Sequence, residues 1–159
     1  MIKLILLDID GVLTDGKVTI DSNGNEYKTI SFKDIDAIFE MKRRNILVGF
    51  ITGEDTPITL FFEKRFKPDF FCKGCKDKVK ALEEVMKQTE VDIKDVCYIG
   101  DSKNDIPILK LVKLSACPSN AINEVKALAN IKLKARGGDG CIWELLECIL
   151  KVRSKNGGR

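Results

Sequence analysis

Apolar positions in this chain come in short blocks, and the main blocks end in a polar residue or a glycine. Lys3–Leu7 is nearly continuous aliphatic sequence. Leu47–Ile51 and Val96–Ile99 repeat the pattern, and Phe70–Cys72, Leu114–Cys117 and Ile131–Leu133 are shorter versions. Aliphatic runs of this length without alternation mark strands covered on both faces, as in a parallel sheet. Between these blocks the period changes. Val79, Leu82, Val85 and Met86 recur at helical spacing within Asp77–Thr89, as do Ile142, Leu145, Leu146 and Ile149 near the end. Thr56-Pro57 opens another helix, with Thr as cap and Pro at the first helical position, and this helix should stop before Pro68. Shorter helices are expected over Asp36–Arg44, Ile106–Leu111 and Ala121–Leu128. Val18–Ile20 and Glu26–Ile30 flank Ser22-Asn23-Gly24-Asn25, and an Asn-Gly turn between two such runs predicts a β-hairpin.

Strands alternating with helices predict an α/β fold of three layers around a mostly parallel sheet. The 159 residues suit one domain, expected over residues 1–152, with a polar, flexible tail at 153–159. Gly137-Gly138-Asp139-Gly140 reads as a mobile loop. No apolar run reaches the ~20 residues of a membrane-spanning helix. Met1 leads directly into a strand rather than a signal peptide, so a cytoplasmic protein with no membrane partner is expected. The net charge of +3 is modest, and no basic stripe alternates with aromatics, which argues against nucleic acid.

The six cysteines include one C-x-x-C, Cys72 and Cys75, without a second pair at zinc-site spacing. Reduced, mostly buried thiols are the expectation, with zinc or redox chemistry at Cys72–Cys75 as the alternative. The chain has no histidine. That excludes Ser-His-Asp hydrolases, histidine phosphatases and most zinc hydrolases. Any chemistry must run on carboxylates, lysines, hydroxyls and backbone.

Those groups gather just after strand ends. Asp8-Ile9-Asp10-Gly11 follows the first strand, and a period of two would send both carboxylates to one side, where a cation would relieve their repulsion. Thr52-Gly53 follows another strand, and Gly100-Asp101-Ser102-Lys103-Asn104-Asp105 a third. In open α/β sheets ligands bind outside the carboxyl ends of the strands, so these segments should form one site. An all-oxygen acidic cluster suits Mg²⁺. With the Thr52 hydroxyl and Lys78 at a helix start, the set has the parts needed to handle a phosphoryl group.

These segments resemble the signatures of the haloacid dehalogenase superfamily in their order: Asp8-Ile9-Asp10-Gly11-Val12-Leu13-Thr14-Asp15-Gly16, then Ile51-Thr52-Gly53, Lys78, and Gly100 to Asp105. The resemblance implies a Rossmann-like haloacid dehalogenase fold and an aspartate-based phosphatase. Asp8 would be the nucleophile and Asp10 the general acid and base. Thr52, Gly53 and Lys78 would hold the phosphoryl oxygens. Mg²⁺ would rest on Asp8, the Asp10 backbone carbonyl and Asp101, with Asp105 and Asn104 supporting it. A receiver domain shares several of these parts but would carry its lysine last. A phosphatase-like interaction module without activity is the other alternative.

The stretch between Gly16 and Thr52 has no room for a cap domain beyond the hairpin, a short helix and a strand. Within the superfamily the chain is similar to capless phosphatases of 3-deoxy-2-ulosonic acid phosphates. Gly137-Gly138-Asp139-Gly140 with Glu144 resembles their terminal Gly-Gly-x-Gly…Glu segment. The resemblance implies a phosphorylated sugar acid as substrate and a homotetramer in which the hairpin 18–30 covers a neighbouring site. Glu54 and Arg65, eleven residues apart, are expected to share a helix face, which favours a nonulosonate 9-phosphate over the eight-carbon octulosonate 8-phosphate. Arg136, before the glycines, is expected to close over an anionic substrate.

Overall fold

A computed structural model describes residues 1–156, with side chains described through residue 152. Six strands form one parallel sheet: β1 (Leu4–Leu7), β4 (Leu47–Ile51), β5 (Phe70–Cys72), β6 (Val96–Ile99), β7 (Leu114–Cys117) and β8 (Ile131–Lys132). Their order across the sheet is β5-β4-β1-β6-β7-β8. The remaining pair, β2 (Thr19–Ile20) and β3 (Glu26–Tyr27), is the expected hairpin, with two exposed residues in each strand.

The helices are α1 (Phe32–Arg43), α2 (Pro57–Phe66), α3 (Lys78–Thr89), α4 (Ile106–Leu109), α5 (Asn123–Leu128) and α6 (Cys141–Asn156). The pleat divides the strand side chains between two cores. Ile5, Leu7, Val48, Phe50 and Ile99 pack with Ile38 and Met41 of α1, Phe62 and Phe66 of α2, and Leu145 and Ile149 of α6. Leu4, Leu6, Val96 and Tyr98 pack with Ala81, Leu82 and Val85 of α3, Leu109 of α4 and Val125 of α5. Every central strand is therefore buried on both faces, which is why its sequence does not alternate. Among the described residues, no helix is long and apolar enough to cross a membrane.

Element ends differ from the sequence expectation where caps decide them. Helix α1 begins at Phe32, ahead of the expected Asp36, because the Ser31 side chain accepts from Lys33 N and caps it. Helix α2 begins at Pro57 as expected. Helix α6 continues to Asn156, and the rest of the expected tail, residues 157–159, lies outside the described residues.

The Gly137–Gly140 loop, which reads as mobile in the sequence, is hydrogen-bonded along its length. Gly137 N donates to Asn120 Oδ1 at 2.6 Å and Gly140 N to Asp34 Oδ2 at 2.9 Å. Gly138 N donates to the Val12 carbonyl at 3.0 Å. These backbone donors are spent on Asn120 after β7, on the turn after β1 and on α1, which ties the loop to three parts of the fold.

Candidate active site

Strand register brings the chemistry together. Leu7 pairs with Phe50 of β4 and with Ile99 of β6, so Asp8, Thr52 and Asp101 leave the sheet at nearly one level. Here β1 has its neighbours reached by different crossovers on either side, which is where an open parallel sheet forms its crevice. Lys78 is the first residue of α3, whose N-terminus Asp77 caps by accepting from Val79 N and Lys80 N.

The Lys78 ammonium donates to Asp8 Oδ1 at 2.8 Å and Asp105 Oδ1 at 2.7 Å, and lies 3.1 Å from the Tyr98 hydroxyl. All are buried. Tyr98 OH donates to Asp105 Oδ1 at 2.5 Å, and Asp105 Oδ2 accepts from Asp101 N, Ser102 N and Ser102 Oγ. Asp105 is fully buried, and its two oxygens tie Lys78, Tyr98 and the Asp101–Ser102 segment together. Burial pushes the Asp8 carboxyl well above the usual range, against the pull of Lys78 and with repulsion from Asp105 adding to it. Burial alone would lower the Lys78 ammonium, but Asp8 and Asp105 outweigh it and hold it above the ordinary lysine value. Burial and repulsion from Asp105 push Asp101 up to about 6.

Asp8, Asp101 and Asp105 offer carboxylate oxygens within 4.8 Å of one another. Asp101 Oδ1 is buried with no hydrogen-bond partner, the kind of orphaned acceptor that a cation satisfies. Gly11, at φ +90°, makes the room: a Cβ there would fall 1.9 Å from Asp101 Oδ2. The donor set is all oxygen, which fits a hard divalent cation.

Asp10 stands apart from this cluster. The strand ends at Leu7 and the chain enters a wide turn over Ile9–Leu13, so the expected alternation that would align Asp8 and Asp10 does not continue. The two carboxylates are held by different cations. Lys28 Nζ donates to Asp10 Oδ1 at 2.8 Å and Oδ2 at 3.0 Å, and Thr14 Oγ1 donates to Oδ1 at 3.3 Å. Asp10 faces a cavity of about 230 Å³ lined also by Gly16, Lys17, Val18, Glu26, Lys28 and Glu54.

Thr52 is buried, and its Oγ1 accepts from Glu54 N at 3.2 Å. Exposed Gly53 sits between them in a loop tied to the β5–α3 connection by Cys75 N to Thr52 O and Gly74 N to Glu54 O. Asn104 is exposed and makes no part of the acid cluster; it lines a groove with Lys76, Pro107 and Lys78, so it borders the site from the side of α3. Glu54 and Arg65 do not share a helix face, which corrects the sequence expectation. Glu54 precedes the cap of α2, while Arg65 lies near the far end of a helix that runs back along the sheet, away from the site. Arg136 is exposed at the start of the hydrogen-bonded glycine loop. The six cysteines are free, and no sulfur joins a metal-binding group among the described residues.

Sequence reasoning missed three groups. Tyr98 was legible as a polar tip inside an apolar strand. Lys28 had no local signal, because only the fold of the hairpin brings it to Asp10. Asn120 bridges Gly11 and Gly137, donating to the Gly11 carbonyl at 3.1 Å and accepting from Gly137 N.

The chain matches the model of the haloacid dehalogenase-like hydrolases over residues 54–145. It is 31% identical to the 3-deoxy-D-manno-octulosonate 8-phosphate phosphatase of Haemophilus influenzae, covering 98% of this chain and 86% of that one. Its fold superposes on the cobalt-bound structure of the Haemophilus influenzae enzyme with a TM-score of 0.91, at 31% identity and covering 97% of this chain and 90% of that one. The corresponding phosphatase from Moraxella catarrhalis, solved with magnesium, phosphate and the sugar acid, gives a TM-score of 0.89 at 27% identity, covering 94% and 86%. With strands, acids and lysine in this arrangement and relatives that match nearly end to end, the chain belongs to the haloacid dehalogenase-like hydrolases.

Proposed function

We propose that this protein is a Mg²⁺-dependent phosphomonoesterase that cleaves the phosphate ester of a 3-deoxy-2-ulosonic acid through an aspartyl-phosphate on Asp8. The observation that carries the reading is the buried Asp8–Lys78–Asp105 network beside the unpartnered Asp101 Oδ1. Asp8 and Asp101, with the Asp10 backbone carbonyl, would hold Mg²⁺. Bound there, the ion offsets the negative charge of nucleophile and phosphoryl group.

The chain's own residues account for the rest. An Asp8 carboxylate oxygen forms a bond to phosphorus as the ester P–O bond breaks, and the proton of Asp10 passes to the departing oxygen. A water oxygen then bonds to phosphorus as the Asp8 O–P bond breaks, and Asp10 takes the water's proton. Dividing the hydrolysis this way replaces one high barrier by two lower ones. Lys78 and Thr52, with the Gly53 amide, hold the phosphoryl oxygens, and Asp105 and Tyr98 hold Lys78 in place for that role.

The relatives support the eight-carbon 8-phosphate as substrate. Glu54 supports the nine-carbon 9-phosphate as a second reading, because its carboxylate lines the cavity beside Asp10 and can accept bonds from sugar hydroxyls. The distant position of Arg65 removes the other half of that argument. Side-by-side kcat/KM on the two acids, with hexose phosphates as controls, decides between them. Mg²⁺-dependent phosphate release that stops in Asp8→Asn supports the mechanism. No release from any phosphosugar or aryl phosphate would favour an interaction module.

A homotetramer with the hairpin 18–30 over a neighbouring site completes the proposal. The cavity beside Asp10 is open to solvent and small for a sugar-acid site. The hairpin presents Val18, Ile20 and Tyr27 to solvent, apolar surface suited to a second copy. Sedimentation of the active protein tests this, and a fully active monomer would overturn it.

A further inference from the structure

Lys28 belongs to the hairpin base, yet its ammonium is the best-defined partner of Asp10. Its side chain is 8% exposed and both its hydrogen bonds end on the two oxygens of that one carboxylate. The cavity it borders contains two other carboxylates, Glu26 and Glu54, and Lys28 bonds to neither. The segment carrying it is pinned on both sides, by the pairing of Tyr27 with Thr19 before it and by Ile30 after it. Thr14 bridges to Ile30 through backbone, and Thr14 Oγ1 accepts from Gly11 N and Gly16 N while donating to Asp10. A lysine held this way fixes the direction of a carboxylate that otherwise sits on a loop with one-third of its side chain exposed.

We propose that Lys28 is a positioning residue for the acid–base step: it holds the Asp10 carboxylate where it exchanges protons with the leaving oxygen and with the attacking water. This rests on the phosphatase reading above. Each proton exchange is short-ranged and depends on hydrogen-bond contact, so a freely rotating Asp10 spends little time in place. The hairpin thereby becomes part of the chemistry of its own subunit, whatever its tip covers.

The test separates the half-reactions. An aryl phosphate with a good leaving group needs no proton on its departing oxygen, whereas an alkyl phosphate does. Lys28→Met keeps the stem and removes the charge. On 4-nitrophenyl phosphate with Mg²⁺, we expect kcat/KM within threefold of wild type, kcat lowered about tenfold or more with nitrophenolate released in a burst, and acid-stable radiolabel accumulating on Asp8. On an alkyl sugar-acid phosphate, kcat/KM itself falls about tenfold or more. Lys28→Arg restores most of the activity because it retains a two-point donor. If Lys28→Met does not fold by circular dichroism, Lys28→Gln carries the same comparison. A rise in KM shared by both esters would make Lys28 a substrate ligand instead, and unchanged kinetics on both would make it a spacer; either overturns the proposal. Inactivity of the wild type on both esters overturns the phosphatase reading itself, and this one with it.

Discussion

Gly137 lies so close to Gly11 that a Cβ at position 137 would sit 1.9 Å from the Gly11 carbonyl oxygen. The same turn of Gly11 has no room on its other side, where Asp101 stands. The glycine loop thus acts as a brace behind the turn that carries Asp10, and its location explains a glycine pair far in sequence from the acids.

Gly137→Ala should push the Gly11–Thr14 turn forward without altering any carboxylate. Overpacking against backbone destabilises by about 1–3 kcal/mol. A displacement near 1 Å in the site lowers kcat by up to about a hundredfold. Thermal melts and steady-state kinetics on the same preparation check both effects, and wild-type values in each would show that the loop yields freely.

Lys78 is the only cation bonded to buried Asp8 and Asp105 among the described residues. Lys78→Met leaves two buried carboxylates facing each other and should lower stability by roughly 3–5 kcal/mol while abolishing turnover. Tyr98→Phe removes one neutral donor from Asp105 and should cost about 1–2 kcal/mol with turnover retained. Denaturant titration of both variants tests the ranking. A Lys78→Met protein as stable as wild type would mean that water enters the cluster.

Asp34 ties α1 to the start of α6. Its buried carboxylate accepts from Gly140 N and Ile142 N at 2.9 Å and Trp143 N at 3.3 Å, capping α6 from α1. Burial raises its carboxyl above the ordinary value, and the three N–H bonds only partly offset this. Asp34→Ala strands those donors and should destabilise by roughly 2–4 kcal/mol. The loss should appear first as faster amide exchange in α6 and the glycine loop. Uniform exchange across the whole chain would argue against a local cap.

Protons and Mg²⁺ compete for Asp101. Its folded-state value of about 6 lies above the unfolded value of about 3.9, so it favours the metal-free fold below about pH 4 and that contribution is lost as pH rises through 6. Mg²⁺ needs the ionised form. Its effect on the melting temperature should therefore be larger at pH 8 than at pH 5, and Asp101→Asn should remove most of the difference. An equal Mg²⁺ shift at both pH values would place the ion elsewhere.

The main elements of the sheet and the polar residues at the strand ends were legible because local rules decide them. Buried strands favour unbroken aliphatic runs, Thr56-Pro57 supplies a cap and a first residue with a helical φ, and acids after strands point to a crevice. The start of α1 was missed because a single serine cap outweighed the apolar period. The Glu54–Arg65 pairing failed because spacing on a helix means nothing before the helix begins.

By itself, then, the sequence determined the α/β class, the strand ends and the chemical inventory of Asp8, Asp10, Thr52, Lys78, Asp101 and Asp105. Tertiary structure decided which of these groups share hydrogen bonds. It gave Lys78 to Asp8 and Asp105, Lys28 to Asp10, and Asp34 to the start of α6. It also turned a flexible-looking glycine loop into a fixed brace, because glycine permits either freedom or close approach and only the neighbouring backbone selects between them.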